Sequence, residues 1–301
     1  SRLQMTPRFS ALLPALVLLL AAPDARPANP EPARPSTPIR AALEKGDPDG
    51  AAAAADAALR AAPKDTDVLL WAGRAYGQRA LSASVFTKMS WARKCHEAWE
   101  KAVAIDPSFL DARSELLRYY LMAPGIVGGG VEKAREQAAR IAALDATQGH
   151  LARGRIAEHE KDPPAAEAEY RKAAETDPKR VEGPIALATF LGGQKRWGEA
   201  RAIFEKRLAV DPSDAIAVYQ LGRIALFSGE DLEKGLACFD RYLALPVPED
   251  GPTRADARWR KGLTLEKLGK TPAAIAEYRE ALKENPGHRG AKRELERLKA
   301  A

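Results

Sequence analysis

Three stretches of the chain share one pattern of apolar and polar positions. They are "AAEAEYRKAAETDP" (165–178), "GEARAIFEKRLAVDP" (198–212) and "PAAIAEYREALKENP" (272–286). Each has a small residue, an aromatic residue four positions later, a small or aliphatic residue after that, and then Asp or Asn followed by proline. Because residues three and four apart lie on one face of a helix, each stretch predicts an amphipathic helix that ends at its proline.

The copies are regularly spaced. Tyr170 and Phe204 are 34 residues apart, and so are Pro178 and Pro212. Further upstream, "KCHEAWEKAVAIDP" (94–107) repeats the pattern, and Pro107 precedes Pro178 by 71 residues, two periods plus three. A fixed period of this length indicates an array of repeated units.

A second amphipathic stretch precedes each of these helices, so each unit is predicted to be a pair of helices, A and B. Counted from the start of the unit, the eighth position is a glycine in four units, and small residues at positions 8 and 20 allow the two helices to approach closely. The aromatic residue at position 24 is expected to fill the remaining gap. The glycines are Gly73, Gly154, Gly222 and Gly262.

This pattern resembles the tetratricopeptide repeat family, whose 34-residue helix–turn–helix unit carries W-x2-L-G-x2-Y…A-x3-F…P. The resemblance implies an all-α protein, a right-handed α-solenoid of about seven units. The second unit has about eight extra residues around "ALSASVFTKMSW", which we expect to lengthen its helices. The predicted units cover residues 36–65, 66–109, 110–146, 147–180, 181–214, 215–252 and 255–288, followed by a polar capping helix at 289–300.

The N-terminal region has a different composition. Arg8 precedes an apolar run at 11–22, the layout of a secretory signal peptide, so residues 1–22 are predicted to be a leader. The alternative is an uncleaved anchor in the inner membrane, although a bilayer span takes about 20 apolar residues. Residues 23–35 are proline-rich and aperiodic, which predicts a disordered tether. These features predict a periplasmic or secreted protein, with membrane contact only through an uncleaved N-terminus.

Composition and charge exclude one class of partner. The chain has 47 basic and 41 acidic residues, a net charge of +6. This imbalance is too small to indicate nucleic-acid binding. The aromatic content of 6% and the many alanines favour closely packed helices over a β-sandwich.

The glycine-rich loop at 123–130 is the one candidate for nucleotide chemistry. Gly125 and Gly130 have the spacing of a P-loop, but Val131 and Glu132 stand where a P-loop needs Lys and Ser or Thr. We therefore expect a connection between helices, with carboxylate binding by its free backbone amides as the alternative. No catalytic or metal-binding motif includes any of the four histidines, which are His96, His150, His159 and His288. The chain is therefore predicted to be non-enzymatic, without cofactor or metal.

The family resemblance implies that helix A positions 2, 5, 9 and 12 line a concave groove that binds extended peptides or helices. Arginine suits carboxylates and apolar residues suit side-chain pockets, so the predicted partner is an acidic protein or peptide segment with interspersed apolar residues. The groove residues are Arg74, Arg118, Arg155 and Arg223 at position 9, and Leu70, Leu151, Ile185, Tyr219 and Trp259 at position 5. Alternatively, carboxylates at position 2 neutralise these arginines: Asp67, Asp111, Glu182 and Asp256.

Two functions fit these observations. The first is a scaffold or adaptor in the cell envelope that binds a protein partner in its concave groove. The second is a structural component of an envelope assembly that packs through its convex face or its ends, with the groove filled by its own ion pairs.

Overall fold

The computed structural model describes residues 34–248 and 251–300. The predicted leader at 1–22 and residues 23–33 of the predicted tether lie outside this range. Within the described residues the chain is all-α, with fifteen α-helices, one short 3-10 turn and no strand, which confirms the predicted fold class.

The helices follow one another with short connections. Their bounds are α1 Thr37–Lys45, α2 Pro48–Ala61, α3 Thr66–Ser82, α4 Val85–Ile105, α5 Leu110–Met122, α6 Val131–Leu144, α7 Ala146–His159, α8 Pro163–Thr176, α9 Glu182–Gly193, α10 Trp197–Val210, α11 Ala215–Ser228, α12 Leu232–Ala244, α13 Arg254–Lys267, α14 Thr271–Glu284 and α15 Arg289–Ala300.

Each helix packs mainly on its neighbours in the chain. In addition, odd-numbered helices contact the next odd-numbered helix, as α5 contacts α7 and α11 contacts α13. Odd helices are thus the A helices and even helices the B helices of successive units. This nearest-neighbour pattern is that of a solenoid, in which the A helices line the concave side.

The glycine at position 8 and the aromatic residue at position 24 touch within the same unit. A Cβ added to Gly154 would lie 2.5 Å from Cε1 of Tyr170, closer than van der Waals contact allows. The Tyr170 ring also approaches Phe190 of the next A helix, with centroids 5.7 Å apart. The same contact recurs between Gly73 and Trp99, Gly222 and Phe239, and Gly262 and Tyr278.

The Asp-Pro or Asn-Pro dipeptide that ends a B helix also builds the turn to the next unit. In each turn, the side chain before the proline accepts a hydrogen bond from the backbone N–H two residues later. Proline cannot continue the helix, and this side-chain bond replaces a lost backbone partner. The donor and acceptor residues are Ser108 and Asp106, Lys179 and Asp177, Ser213 and Asp211, and Gly287 and Asn285.

The two ends of the array contact each other. Arg289, the first residue of α15, donates a hydrogen bond from Nε to the carbonyl of Glu44, 2.9 Å away, and another to the carbonyl of Leu43. These carbonyls lie at the C-terminus of α1, where free carbonyl groups favour a cation. In the described array, the side chain of Arg289 therefore links α15 back to α1.

Helices α3 and α4 have 17 and 21 residues, compared with 13 or 14 in most other helices. The additional residues of the second unit thus extend both of its helices. No helix within 34–248 and 251–300 has the length and apolar character required to cross a bilayer.

Candidate binding groove on the concave face

Two of the predicted groove arginines share one carboxylate. Arg74 on α3 contacts Glu115 on α5 with its Nε 2.8 Å from Oε1, and Nη2 of Arg118 lies 2.6 Å from the same oxygen. The Glu115 side chain is 9% exposed, so these charge-assisted bonds are shielded from water. The N-terminal part of the groove is therefore largely neutralised.

Arg155 on α7 has no such partner. Among the described residues it makes no ion pair and no hydrogen bond. Burial and the positive charge of Arg118 lower the pKa of Arg155, although Tyr170, Glu158 and Glu115 act in the opposite direction. Arg155 is thus a half-buried cation without a bonded counter-charge.

Arg223 on α11 is the second arginine without a carboxylate. Its Nη1 donates to Gln220 at 2.8 Å, while its Nε is buried and unpaired. Burial and the neighbouring Arg260 lower the pKa of Arg223 to about 10. Arg260 makes no ion pair among the described residues and donates from Nε to the hydroxyl of Tyr219, 2.6 Å away. Two cations therefore lie together at this end of the groove.

The predicted apolar residues divide into buried and accessible groups. Leu70, Leu151 and Tyr219 are 2–3% exposed and belong to the hydrophobic core between helices. Ile185 and Trp259 are half-buried, so part of each side chain is accessible. Position 5 therefore contributes mainly to packing and only at two sites to an accessible surface.

Sequence reasoning missed one accessible aromatic residue. Phe227 stands at position 13 of its unit and is 46% exposed. The guanidinium carbons of Arg223 and Arg260 lie 5.6 and 5.8 Å from its ring centroid, within the range of cation–π attraction. In the sequence, Phe227 is a phenylalanine at the end of a largely apolar helix. The periodicity of apolar positions does not distinguish such a residue from a core residue.

Trp259 lies where the last helix closes the array. Arg260 covers its ring at 4.9 Å, and a Cβ on Gly290 of α15 would lie 2.6 Å from it. Its Nε1–H is buried without an acceptor. In the described part of the chain, three donors of the predicted groove residues are therefore buried without partners: the Nε1–H of Trp259 and the Nε–H groups of Arg118 and Arg223.

The carboxylates at position 2 do not neutralise the arginines at position 9. Asp67 pairs with Arg40 at 2.9 Å, and Glu182 pairs with Arg180 at 3.0 Å. Asp256 accepts hydrogen bonds from Thr253 and lies 3.3 Å from His288, and Asp111 is exposed. The internal neutralisation comes instead from Glu115 at position 6.

The glycine-rich loop uses its own amides. The N–H groups of Gly128, Gly129 and Gly130 donate to the carbonyls of Gly125, Pro124 and Tyr120 at 2.8–3.2 Å. These three amides are therefore not free to bind a carboxylate, and the loop connects α5 to α6.

Three of the four histidines are held in helix contacts, and His159 is exposed. His96 stacks on Tyr119 with ring centroids 4.9 Å apart, and Nδ1 of His150 lies 2.8 Å from a carboxylate oxygen of Glu169. His288 accepts the N–H of Ala291 with Nδ1 at 3.0 Å and so caps α15. In the described part of the chain, no three His, Cys, Asp or Glu residues are grouped closely enough to hold a metal ion.

Comparison with known proteins supports the repeat assignment. The family model described as "Tetratricopeptide repeat" matches residues 39–83, 128–181, 185–247 and 225–289. A search of curated proteins finds no match.

Solved structures with the same architecture include yeast Tom70, which is 15% identical with a TM-score of 0.57 over 93% of this chain and 60% of that chain. A tetratricopeptide repeat protein from Parabacteroides merdae ATCC 43184 is 15% identical with a TM-score of 0.49 over 87% of this chain and 96% of that one. PilW, described as a widely conserved type IV pilus biogenesis factor, is 19% identical with a TM-score of 0.44 over 74% of this chain and 98% of that one. At 15% identity, the similarity to Tom70 concerns the fold alone.

Proposed function

Because the chain belongs to the tetratricopeptide repeat family, we propose that it is a non-enzymatic scaffold that binds an acidic segment of a protein partner in its concave groove. Proteins of this family generally act as scaffolds for protein–protein interaction. The observation that supports the groove as the binding surface is that Arg155 and Arg223 have no carboxylate partner, whereas Arg74 and Arg118 share Glu115.

A partly buried arginine that has lost water without gaining a partner is costly, and a carboxylate that pairs with it recovers that free energy. Arg223 lies beside Arg260 and the exposed ring of Phe227, so the segment needs both a carboxylate and an apolar side chain there. Helices α7 and α11 are two positions apart in the concave layer, about 16–20 Å at 8–10 Å per packed pair. An extended peptide covers that distance in about five or six residues.

The test uses extended peptides that carry two glutamates five or six residues apart with a leucine or phenylalanine between them. We expect binding, measured by fluorescence anisotropy, to weaken as salt increases, because exposed charges are screened over about 10 Å at 0.1 M. Arg155→Glu combined with Arg223→Glu should abolish it.

The matched control is Lys101→Glu combined with Lys206→Glu, which makes the same change of charge at exposed residues on B helices. Envelope cross-linking before affinity capture then tests natural partners. If the folded Arg155→Glu, Arg223→Glu variant still retrieves the partners of the parent chain, the concave groove is not the binding surface.

One observation favours the second candidate, packing into an assembly. Ile105, Leu144 and Val210 each stand immediately before the aspartate that ends their B helix, and they are 43%, 46% and 85% exposed. They form a recurring apolar position along one edge of the solenoid. Replacing all three with serine should reduce the mass of cross-linked assemblies if this edge packs against another subunit, and should leave it unchanged if the groove alone binds partners.

We also propose an envelope location, which rests on Arg8 and the apolar run 11–22. N-terminal sequencing of protein from the envelope fraction tests it. A mature start between Pro23 and Asn29 supports export, and intact Met5 in the cytosolic fraction contradicts it.

A further inference from the structure

The hairpin of α3 and α4 extends beyond both neighbouring units. On one side, Arg79 reaches Asp49 in the first turn of α2, with Nε 2.5 Å from Oδ1. On the other side, the loop after α5 lies against His96, which a Cβ on Gly128 would approach to 3.1 Å. Phe86 precedes His96 by ten residues, about 15 Å along the helix axis. Residues 81–90 therefore form a projecting tip.

The surface of this tip is apolar. Leu81 is 58% exposed, Met89 is 38% exposed, and Phe86 at 96% is the most exposed large apolar residue in the described part of the chain. Phe86 and Met89 are three residues apart on α4, so they lie on the same face of the helix. Exposed side chains of this size that cluster on one projection indicate a contact surface.

The tip and the adjoining turns of α3 and α4 also have positive charge that carboxylates neutralise only in part. Between Asp67 and Glu97 the sequence contains no acidic residue and five cations, Arg74, Arg79, Lys88, Arg93 and Lys94. Lys94 pairs with Asp56 on α2, as Arg79 does with Asp49, so both are neutralised. Lys88 and Arg93 are exposed and form no ion pair among the described residues.

We propose that this tip docks on an anionic membrane surface, with Phe86, Met89 and Leu81 inserted at the level of the lipid headgroups and Lys88 and Arg93 against their phosphates. Apolar side chains on a convex projection, next to free cations, are the combination that binds anionic lipid. Only side chains enter the interface, so the helical backbone keeps its own hydrogen bonds. A protein partner would need a pocket shaped for Phe86 and an acidic rim. Lipid needs neither, and the continuous run without carboxylates favours it.

This surface is separate from the concave groove. The first experiment is co-sedimentation of the full chain with phosphatidylglycerol–phosphatidylcholine vesicles and with pure phosphatidylcholine vesicles. Phe86→Ser combined with Met89→Ser should lower the partition coefficient on anionic vesicles at least about tenfold. Lys88→Glu combined with Arg93→Glu should lower it by about tenfold or more on anionic vesicles, with little change on neutral ones.

Val210→Ser is the control, because it removes another highly exposed apolar side chain, 85% exposed, from the opposite edge of the solenoid. It should leave partitioning unchanged, and so should the groove variant with Arg155→Glu and Arg223→Glu. Every chain contains the same N-terminus, so a difference between variants comes from the tip.

The second experiment places an environment-sensitive fluorophore on the tip by Ser90→Cys and, for reference, at Val210→Cys. We expect a blue shift with anionic vesicles from the probe at 90 and none from the probe at 210. The proposal is overturned if the probe at 90 does not respond to vesicles, or if the Phe86→Ser, Met89→Ser variant partitions like Val210→Ser. A probe at 90 that responds to a purified acidic protein and not to vesicles would assign the tip to a protein partner instead.

Discussion

Two glycines one turn apart in α3 should respond to the same substitution with opposite sign. Gly73 and Gly77 both lie inside the helix and face α4. A Cβ at Gly73 would lie 2.2 Å from Nε1 of Trp99, whereas a Cβ at Gly77 would lie 3.5 Å from Sγ of Cys95, an ordinary contact distance. Gly73→Ala and Gly77→Ala therefore share a helix and a residue type and differ only in the space available.

The magnitudes follow from three effects. Alanine favours the helix by about 1 kcal/mol over glycine at either position. At Gly73, the ring of Trp99, which is 6% exposed, has to move by about 1 Å, and overpacking of this kind costs about 1–3 kcal/mol. The shift also strains the hydrogen bond that Trp99 Nε1 donates to Leu70 at 3.1 Å, which contributes about 1 kcal/mol. The net expectation is a loss of about 1–3 kcal/mol for Gly73→Ala and a gain of about 0.5–1 kcal/mol for Gly77→Ala.

Urea unfolding followed by circular dichroism measures both variants. The midpoints should separate in opposite directions from the parent, with similar slopes, since repeat arrays unfold cooperatively when neighbouring units stay coupled. If Gly73→Ala is as stable as Gly77→Ala, the close approach of α3 and α4 at Trp99 does not determine the packing of the unit.

Two further predictions concern the middle of the array. Phe204→Ala should cost about 3–5 kcal/mol of unfolding free energy, because the ring is fully buried, while Phe86→Ala should change it by less than about 0.5 kcal/mol. Hydrogen bonds from Arg196 and Arg171 lower the pKa of Glu167 to about 2 from an ordinary value of 4.5. This stabilisation is present above the unfolded pKa and is lost as pH falls through the folded one. The stability difference between the parent and Glu167→Gln should therefore be constant near neutral pH and shrink between about pH 4 and pH 2.

The sequence was sufficient for the features that depend on contacts within one unit. The Gly–aromatic pairs and the Asp-Pro turns recur at a fixed period, because helix A and helix B pack against each other in the same way in each unit. One of the units without this glycine still pairs a small residue with a large one. In the third unit Leu117 occupies the glycine position and Ala138 the aromatic position, and both are buried. The large and small partners have exchanged helices.

Features that depend on contacts between units were not predictable in the same way. Position 5 was expected to line the groove, but Leu151 and Tyr219 are only 2–3% exposed, Arg260 of the following unit lies against Tyr219, and Trp259 is partly covered by α15. How deeply such a residue is buried depends on the size of side chains about 34 residues away in sequence. A single sequence does not show how those side chains are arranged around it.

The distribution of free arginines follows from one inter-unit contact. Arg74 at position 9 pairs with Glu115 at position 6 of the following unit. In the unit that follows Arg155, position 6 is Ala186. In the unit that follows Arg223, position 6 is Arg260, so neither arginine has a carboxylate at that position. Ala186→Glu should therefore supply the missing partner of Arg155.

This substitution should weaken binding of the acidic peptides about tenfold, because charge-assisted bonds of this kind contribute roughly 1.5 kcal/mol. Ala186→Gln is the control without charge, and it should bind more tightly than Ala186→Glu. Equal peptide affinity for the two variants, with folding intact, would show that Arg155 does not contribute to recognition of the ligand. Raising the salt concentration should not restore peptide affinity in the Ala186→Glu variant, because salt also screens the attraction between the peptide and the groove. A restored affinity would contradict the reasoning.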